Sequence, residues 1–376
     1  MRTVGLRTSL FALGMGSIAL GITILISGCS SGESSTLQDK VQIGKALFNM
    51  ASLSEPGGQS CASCHQPSIA FVDPRQDSPT SEGAVVGRFG KRQAPTLAYM
   101  AFSPKFHFDA TEQDYIGGQF WDGRAADLKD QVHFPILNIA EMNNTTKTAV
   151  ITKIAASSLA NSLKQLYGST LFDNTDRAFD AIADAIAAFE ASPQFSPFTS
   201  KYDAYLKGSV TLTATEARGL ALYKGKAKCA NCHPSDPGAD GTPPLFTDFT
   251  YDNIGLPQNT QNRFLVMPSQ INPDGASFVD TGLMQTTKRT EDAGRMKVPT
   301  LRNVAITPPY FHNGVFKTLE QAVQFYNKRD IVGAFLPPEL PNTMNREELG
   351  DLKLTDTEVA EIVAFLKTLT DGYASK

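Results

Sequence analysis

Apolar residues recur at helical spacing over several stretches of this chain, and nowhere do they alternate long enough to build a sizeable strand. Between Ala178 and Glu190, the side chains of Phe179, Ile182, Ile186 and Phe189 fall on one face of a helix. Val359, Ile362, Phe365, Leu366 and Leu369 make a second stripe, and Leu319, Ala322, Val323 and Tyr326 a third. Thr355-x-x-Glu358 opens the second and Thr318-x-x-Gln321 the third; Thr213-x-x-Glu216 repeats the pattern elsewhere. In such a box the two side chains satisfy backbone N–H groups that a first helical turn leaves unpaired, so each predicts a helix start. Pro and Gly, 22 and 29 residues, punctuate the stretches between as loops. The pattern predicts a mainly α protein with long loops and little sheet. The stretch 191–210, with Pro193 and Pro197, separates two units, 39–196 and 197–376.

The first 28 residues follow another pattern. Arg2 and Arg7 precede an apolar run from Leu10 to Ile26, closed by Ser27-Gly28, which reads as an export signal. Gly14, Gly16, Ser17, Gly21 and Thr23 dilute that run below what a permanent membrane span needs. Ile26-Ser27-Gly28-Cys29 resembles a bacterial lipoprotein box, which implies cleavage before Cys29 and lipidation of its thiol. The chain is then held by lipid alone on the periplasmic face of a membrane, the outer one by preference, or lies free in the periplasm. A plain signal peptide with a stray cysteine is the simpler alternative. Residues 29–38 read as a flexible polar tether.

Composition narrows the classes. A chain of 376 residues, 41% hydrophobic, can bury a sizeable core. Cleavage after Gly28 removes two arginines and no acid, leaving 32 basic and 38 acidic side chains, a net charge of −6. That excludes an electrostatic footprint for nucleic acid.

Four of the five cysteines sit in Cys61-Ala62-Ser63-Cys64-His65 and Cys229-Ala230-Asn231-Cys232-His233. Cys-x-x-Cys-His is the attachment pattern of c-type haem: two thioethers to the porphyrin and a histidine nitrogen to iron. A redox disulfide needs no following histidine, and a four-thiolate zinc site leaves both histidines without a role. Gly44-Lys45-Ala46-Leu47-Phe48 precedes the first motif and Gly219-Leu220-Ala221-Leu222-Tyr223 the second, a weak internal duplication. The two units thus read as cytochrome-c-like domains carrying one haem c each.

Phe120-Trp121-Asp122-Gly123-Arg124-Ala125, Glu141-Met142, Val298-Pro299-Thr300-Leu301-Arg302-Asn303 and Pro309-Tyr310-Phe311-His312 resemble the bacterial di-haem cytochrome c peroxidase/MauG superfamily. The likeness runs from about Lys40 to Leu369. It implies that the N-terminal unit is the peroxidatic one. By spacing from Trp121, the resemblance assigns peroxide chemistry to Gln131 and Glu141, with Pro135 between them. Glu141 would move a proton between the peroxide oxygens, and Gln131 would orient the peroxide. Trp121, the single tryptophan, would relay charge between haems; its plainer reading is a packed core aromatic. Family peroxidases carry a distal histidine where this chain has Ser81, which implies an open first iron. His107 is the nearest residue that could close it. A ligating methionine is replaced by Tyr326, so the second iron would lie between His233 and Tyr326, as in the MauG branch. A phenolate favours oxidised iron, whereas a thioether raises the potential. His312 corresponds to a loop histidine beside the second haem, and His133 reads as structural. The family also holds calcium between its lobes: Thr307 and Pro309 match two backbone ligands, while Gln93 stands in place of an asparagine.

The resemblance implies an exported peroxidase that uses hydrogen peroxide to form a high-valent haem state, which oxidises a partner-protein residue or an electron donor. A peroxide-removing cytochrome c peroxidase fed by a small c-type cytochrome is the runner-up, and a non-enzymatic electron-transfer cytochrome the third reading. Family members are often homodimers.

Overall fold

The structure, a computed structural model, describes residues 31–374. The export signal and Cys29 lie outside the described residues. Among the described residues there are eleven α-helices. The first six are α1 (Ser31–Phe48), α2 (Cys61–Cys64), α3 (Leu128–Leu137), α4 (Lys147–Ala155), α5 (Ala160–Tyr167) and α6 (Thr175–Glu190). The rest are α7 (Lys201–Leu206), α8 (Ala214–Lys224), α9 (Met284–Thr287), α10 (Leu319–Lys328) and α11 (Asp356–Lys367). Two short antiparallel pairs complete the list: β1 (His107–Asp109) with β2 (Asp114–Ile116), and β3 (Tyr251–Asp252) with β4 (Met296–Lys297). The fold is mainly α with little sheet.

α8, α10 and α11 begin where the Thr-x-x-Glu/Gln boxes predict, with both arms of each box formed. Residues 31–38, read as a flexible tether, instead form the first turns of α1, with 35–38 exposed. Beyond Gly32 this stretch carries no helix breaker, so a helix packed through Ile43 and Leu47 continues outward.

Two apolar clusters form. One spans 43–195 and gathers α1, α3, α4, α5 and α6; the other spans 202–369 and gathers α8, α10 and α11. Phe179, Ile182, Ile186 and Phe189 all face the first. Each such side chain contributes on the order of 1.5–3 kcal/mol by leaving water.

The same helix crossing holds each cluster. α1 meets α6 at Gly44, where an added Cβ would lie 1.9 Å from the Ala185 carbonyl oxygen and 2.9 Å from the Phe189 Cβ. α8 meets α11 at Gly219, where it would lie 1.9 Å from the Glu361 oxygen and 2.9 Å from the Phe365 Cβ. Only glycine lets these backbones approach so closely.

Polar groups tie the two clusters together. Arg302 makes a bidentate pair with Asp203 at 3.0 and 2.9 Å, and both side chains are 1% exposed. The Arg302 guanidinium also lies 4.7 Å from the ring of Tyr99, whose hydroxyl donates to Asp371. The segment 103–118 folds as the β1–β2 hairpin. Phe106 stacks on Tyr115 and meets Tyr251 edge-on, while Tyr251 donates to the Gly117 carbonyl at 2.6 Å. No helix of the described residues is long and apolar enough to cross a membrane.

Candidate active site

Each Cys-x-x-Cys-His run forms one tight turn. Ser60 and Ser63 cap α2 reciprocally, and the His65 amide closes the turn onto the Cys61 carbonyl at 3.0 Å. The His233 amide does the same to Cys229 at 3.0 Å. His65 Nδ1 lies 3.0 Å from the Phe71 carbonyl oxygen, and His233 Nδ1 lies 2.8 Å from that of Phe246. An Nδ1–H donated to a carbonyl fixes the tautomer and leaves the Nε2 lone pair for a metal. Burial holds both imidazoles below the ordinary histidine range, His233 at about 4, so each is a neutral donor.

These acceptors belong to a longer duplication than the sequence motifs suggest. Phe71 and Phe246 both take left-handed backbone, at φ 59° and 56°. The preceding carbonyls of Ala70 and Leu245 accept from Thr96 and Thr300, each inside a Pro-Thr-Leu run. The first copy of that run, Pro95-Thr96-Leu97, could have been matched to Pro299-Thr300-Leu301 from sequence alone.

Both motifs open into one cavity of about 960 Å³. Its wall includes Trp121, Gln131, Pro135, Glu141, His312 and Tyr326. The donor set and the cavity fit two covalent haems: paired thiols, a neutral imidazole aimed inward, and an enclosing apolar wall at each end.

Gln131 and Pro135 lie one turn apart on α3, and Glu141 follows its end. Pro135 has no N–H for the Gln131 carbonyl, which relaxes the helix on the cavity wall. The Gln131 amide side chain has no hydrogen-bond partner among the described residues. Glu141 accepts from Asn138 Nδ2. Burial raises the Glu141 carboxyl above the ordinary range, and Arg124 and Asn138 oppose that shift. Ser81 also lines the cavity. Of the five histidines, only His65, His233 and His312 reach its wall. His107 is exposed on β1, and His133 stacks on Phe179 at 5.0 Å and pairs with Asp180.

The capping box of α10 fixes which face turns inward, and Leu319, Ala322, Val323 and Tyr326 all line the cavity. The Tyr326 hydroxyl has no hydrogen-bond partner among the described residues. Burial, and then the nearby thiols of Cys232 and Cys229, push this phenol far above its ordinary value. Half-buried, the hydroxyl faces the cavity, where it is free to meet a ligand.

Trp121 donates its indole N–H to the Gln93 carbonyl at 2.9 Å, and the Gln93 amide donates to the His312 carbonyl at 2.7 Å. The two rings lie 6.4 Å apart, edge to face. Beside them Arg92 pairs with Asp122 at 2.6 Å and with Asp280 at 2.6 Å, an ion network invisible in the sequence. Neither ring nitrogen of His312 has a partner, and burial holds its imidazole at about 4. Gln93, Thr307 and Pro309 also reach the cavity wall.

A family model described as di-haem cytochrome c peroxidase matches residues 38–211. The methylamine utilization protein MauG of Paracoccus denitrificans is 39% identical over 370 residues, covering 93% of this chain and 94% of that protein. The chain belongs to the di-haem cytochrome c peroxidase family. Cytochrome c551 peroxidase of Nitrosomonas europaea is 33% identical, covering 88% of this chain and 80% of its own length. The crystal structure of the diheme peroxidase BthA from Burkholderia thailandensis superposes with a TM-score of 0.79 at 35% identity, covering 89% of this chain and 86% of that one. This chain is therefore an oxidoreductase of the peroxidase and MauG class, with two haem c groups, hydrogen peroxide as oxidant and a redox protein as partner.

Proposed function

We propose that this family member is of the MauG type, and one observation carries that reading: the unpartnered hydroxyl of Tyr326 on the same cavity wall as His233. The two haems, when bound, supply the redox chemistry of iron. His65 and His233 would offer Nε2 to the two irons, and Tyr326 would offer its phenol oxygen to the iron that His233 holds. Ser81, on the cavity wall, stands where family peroxidases carry a distal histidine, so peroxide would have direct access to the iron held by His65. Gln131 orients hydrogen peroxide through its amide. Glu141 takes a proton from one peroxide oxygen and returns it to the other, and Pro135 and Ile136 keep bulk water from the pair. Each turnover reduces one hydrogen peroxide to two waters, with two electrons drawn from a donor or from a residue of a partner protein and two protons taken from that residue or from solvent. Trp121, set against His312, conducts charge between the two ends.

Gln93, Thr307 and Pro309 would hold a calcium ion at this seam. The Gln93 carbonyl is already used by Trp121, so its side-chain oxygen would be the donor. The export signal and lipoprotein box support periplasmic exposure with a lipid anchor at Cys29. The relatives named as peroxidases support a small c-type cytochrome as the alternative electron donor.

Rapid mixing of the fully oxidised protein with peroxide tests the reading. Consumption without prior reduction is expected; a requirement for a pre-reduced haem would refute direct access.

A further inference from the structure

Glu190 ends α6 with 4% of its surface exposed, and its Oε2 has no hydrogen-bond partner. It stands on the cavity wall beside Cys61, next to Ile186. The helix crossing shows how unusual this is. Ala185 and Phe189 meet Gly44 as Glu361 and Phe365 meet Gly219, so one residue further on Glu190 corresponds to Leu366. Ile186 and Ile362 correspond likewise, and all four line the cavity. The second lobe therefore completes the same wall with leucine, and packing alone does not call for a carboxyl.

No charge compensates Glu190; burial alone pushes its carboxyl up to about 8. The helices packed on α6 direct their charges elsewhere. Lys40 of α1 pairs with Asp184, Lys129 and His133 of α3 with Asp180, and Lys147 of α4 with Asp176. Lys45 of α1 is exposed, and Lys153 of α4 is engaged by Glu55 and Asn144. On the cavity side Cys61, the titratable group that feels the Glu190 charge, would be consumed by thioether formation; Cys64, His65 and Glu141 line the same cavity.

We propose that Glu190 takes a proton from solvent when an electron reaches the first haem, and releases it when the electron leaves. One electron comes from an external donor, one proton from water, and the proton rests on a carboxylate oxygen. The physical cause is charge balance in a low-dielectric pocket: reduction removes one positive charge from the porphyrin iron, and an adjacent carboxylate loses its counter-charge. The leucine at 366 gives the second haem no such partner. Glu190 would hold the net charge of the first pocket constant through turnover. This deepens the peroxidase reading and rests on the first haem occupying this cavity, not on the roles of Glu141, Gln131 or Tyr326.

A spectroelectrochemical titration of the two-haem protein across pH tests it, with the second haem as internal reference. Between the ordinary carboxylate range and about 8, the first-haem reduction equilibrium is expected to weaken up to tenfold per pH unit, which for one electron is about 59 mV. Glu190→Gln and Glu190→Leu, the latter copying Leu366, are expected to flatten that slope while both haems stay attached. Glu190→Asp is expected to keep part of it. A slope that persists in both the Gln and Leu variants, or a flat profile in the unaltered protein, would overturn the proposal. Glu141→Gln reports on the proposed function instead: it is expected to lower turnover and leave this slope in place.

Discussion

In the proposed function, single side chains divide the cavity into an acid–base end and a ligand end. At the first, Glu141→Gln removes a carboxylate that lines the cavity with Gln131 and is expected to slow peroxide turnover by about 10²–10⁴-fold; a normal steady-state rate would exclude it as the proton carrier. Because burial raises the Glu141 carboxyl, its base form is lost as pH falls through a value above the ordinary carboxylate range. Turnover should therefore decline on the acid side earlier than for an exposed glutamate. The seam offers a stability test. Burial would raise Asp203, but the hydrogen bonds and charge of Arg302 outweigh it and hold the carboxyl low. Its contribution is present above the unfolded carboxylate pKa and lost as pH falls through the lower folded value. Asp203→Asn leaves Arg302 buried and unpaired and is expected to cost about 3–5 kcal/mol, read by denaturant unfolding at neutral pH, with the difference shrinking in acid.

Helices were the most legible elements, because caps and apolar stripes are local signals. The boxes at Thr213, Thr318 and Thr355 each formed both arms, and the Phe179–Phe189 stripe faced the core. The extension of α1 through 31–38 was not legible, since polar residues there are equally consistent with tether and helix surface. The hairpin at 103–118 was missed because its strands are only three residues long. Gly44 and Gly219 carry the duplication into packing. Alanine at either would force the crossing helices apart, at a cost of about 1–3 kcal/mol or more, measurable as a lowered melting temperature; an unchanged transition would mean the crossing yields freely. The same substitution at exposed Gly208, which has φ +71° but nothing within 4 Å, is a control for backbone effects alone.

Over the whole molecule, two apolar clusters share one cavity, and in the proposed function the differences between its two ends carry the chemistry. The haem motifs were readable because their spacing is covalent chemistry. Arg92, Asp280 and Glu190 were not, because their meaning depends on groups brought together by folding: 188 residues separate Arg92 from Asp280. The asymmetry is sharpest at Tyr326, on which the assignment of the second iron turns. Paramagnetic resonance of the fully oxidised protein beside Tyr326→Met tests this most directly. One high-spin and one low-spin haem are expected in the native protein; the substitution should alter only the low-spin signal, add a sulfur-to-iron charge-transfer band and raise that haem's potential. Identical spectra from the two proteins would show that Tyr326 does not bind the second iron.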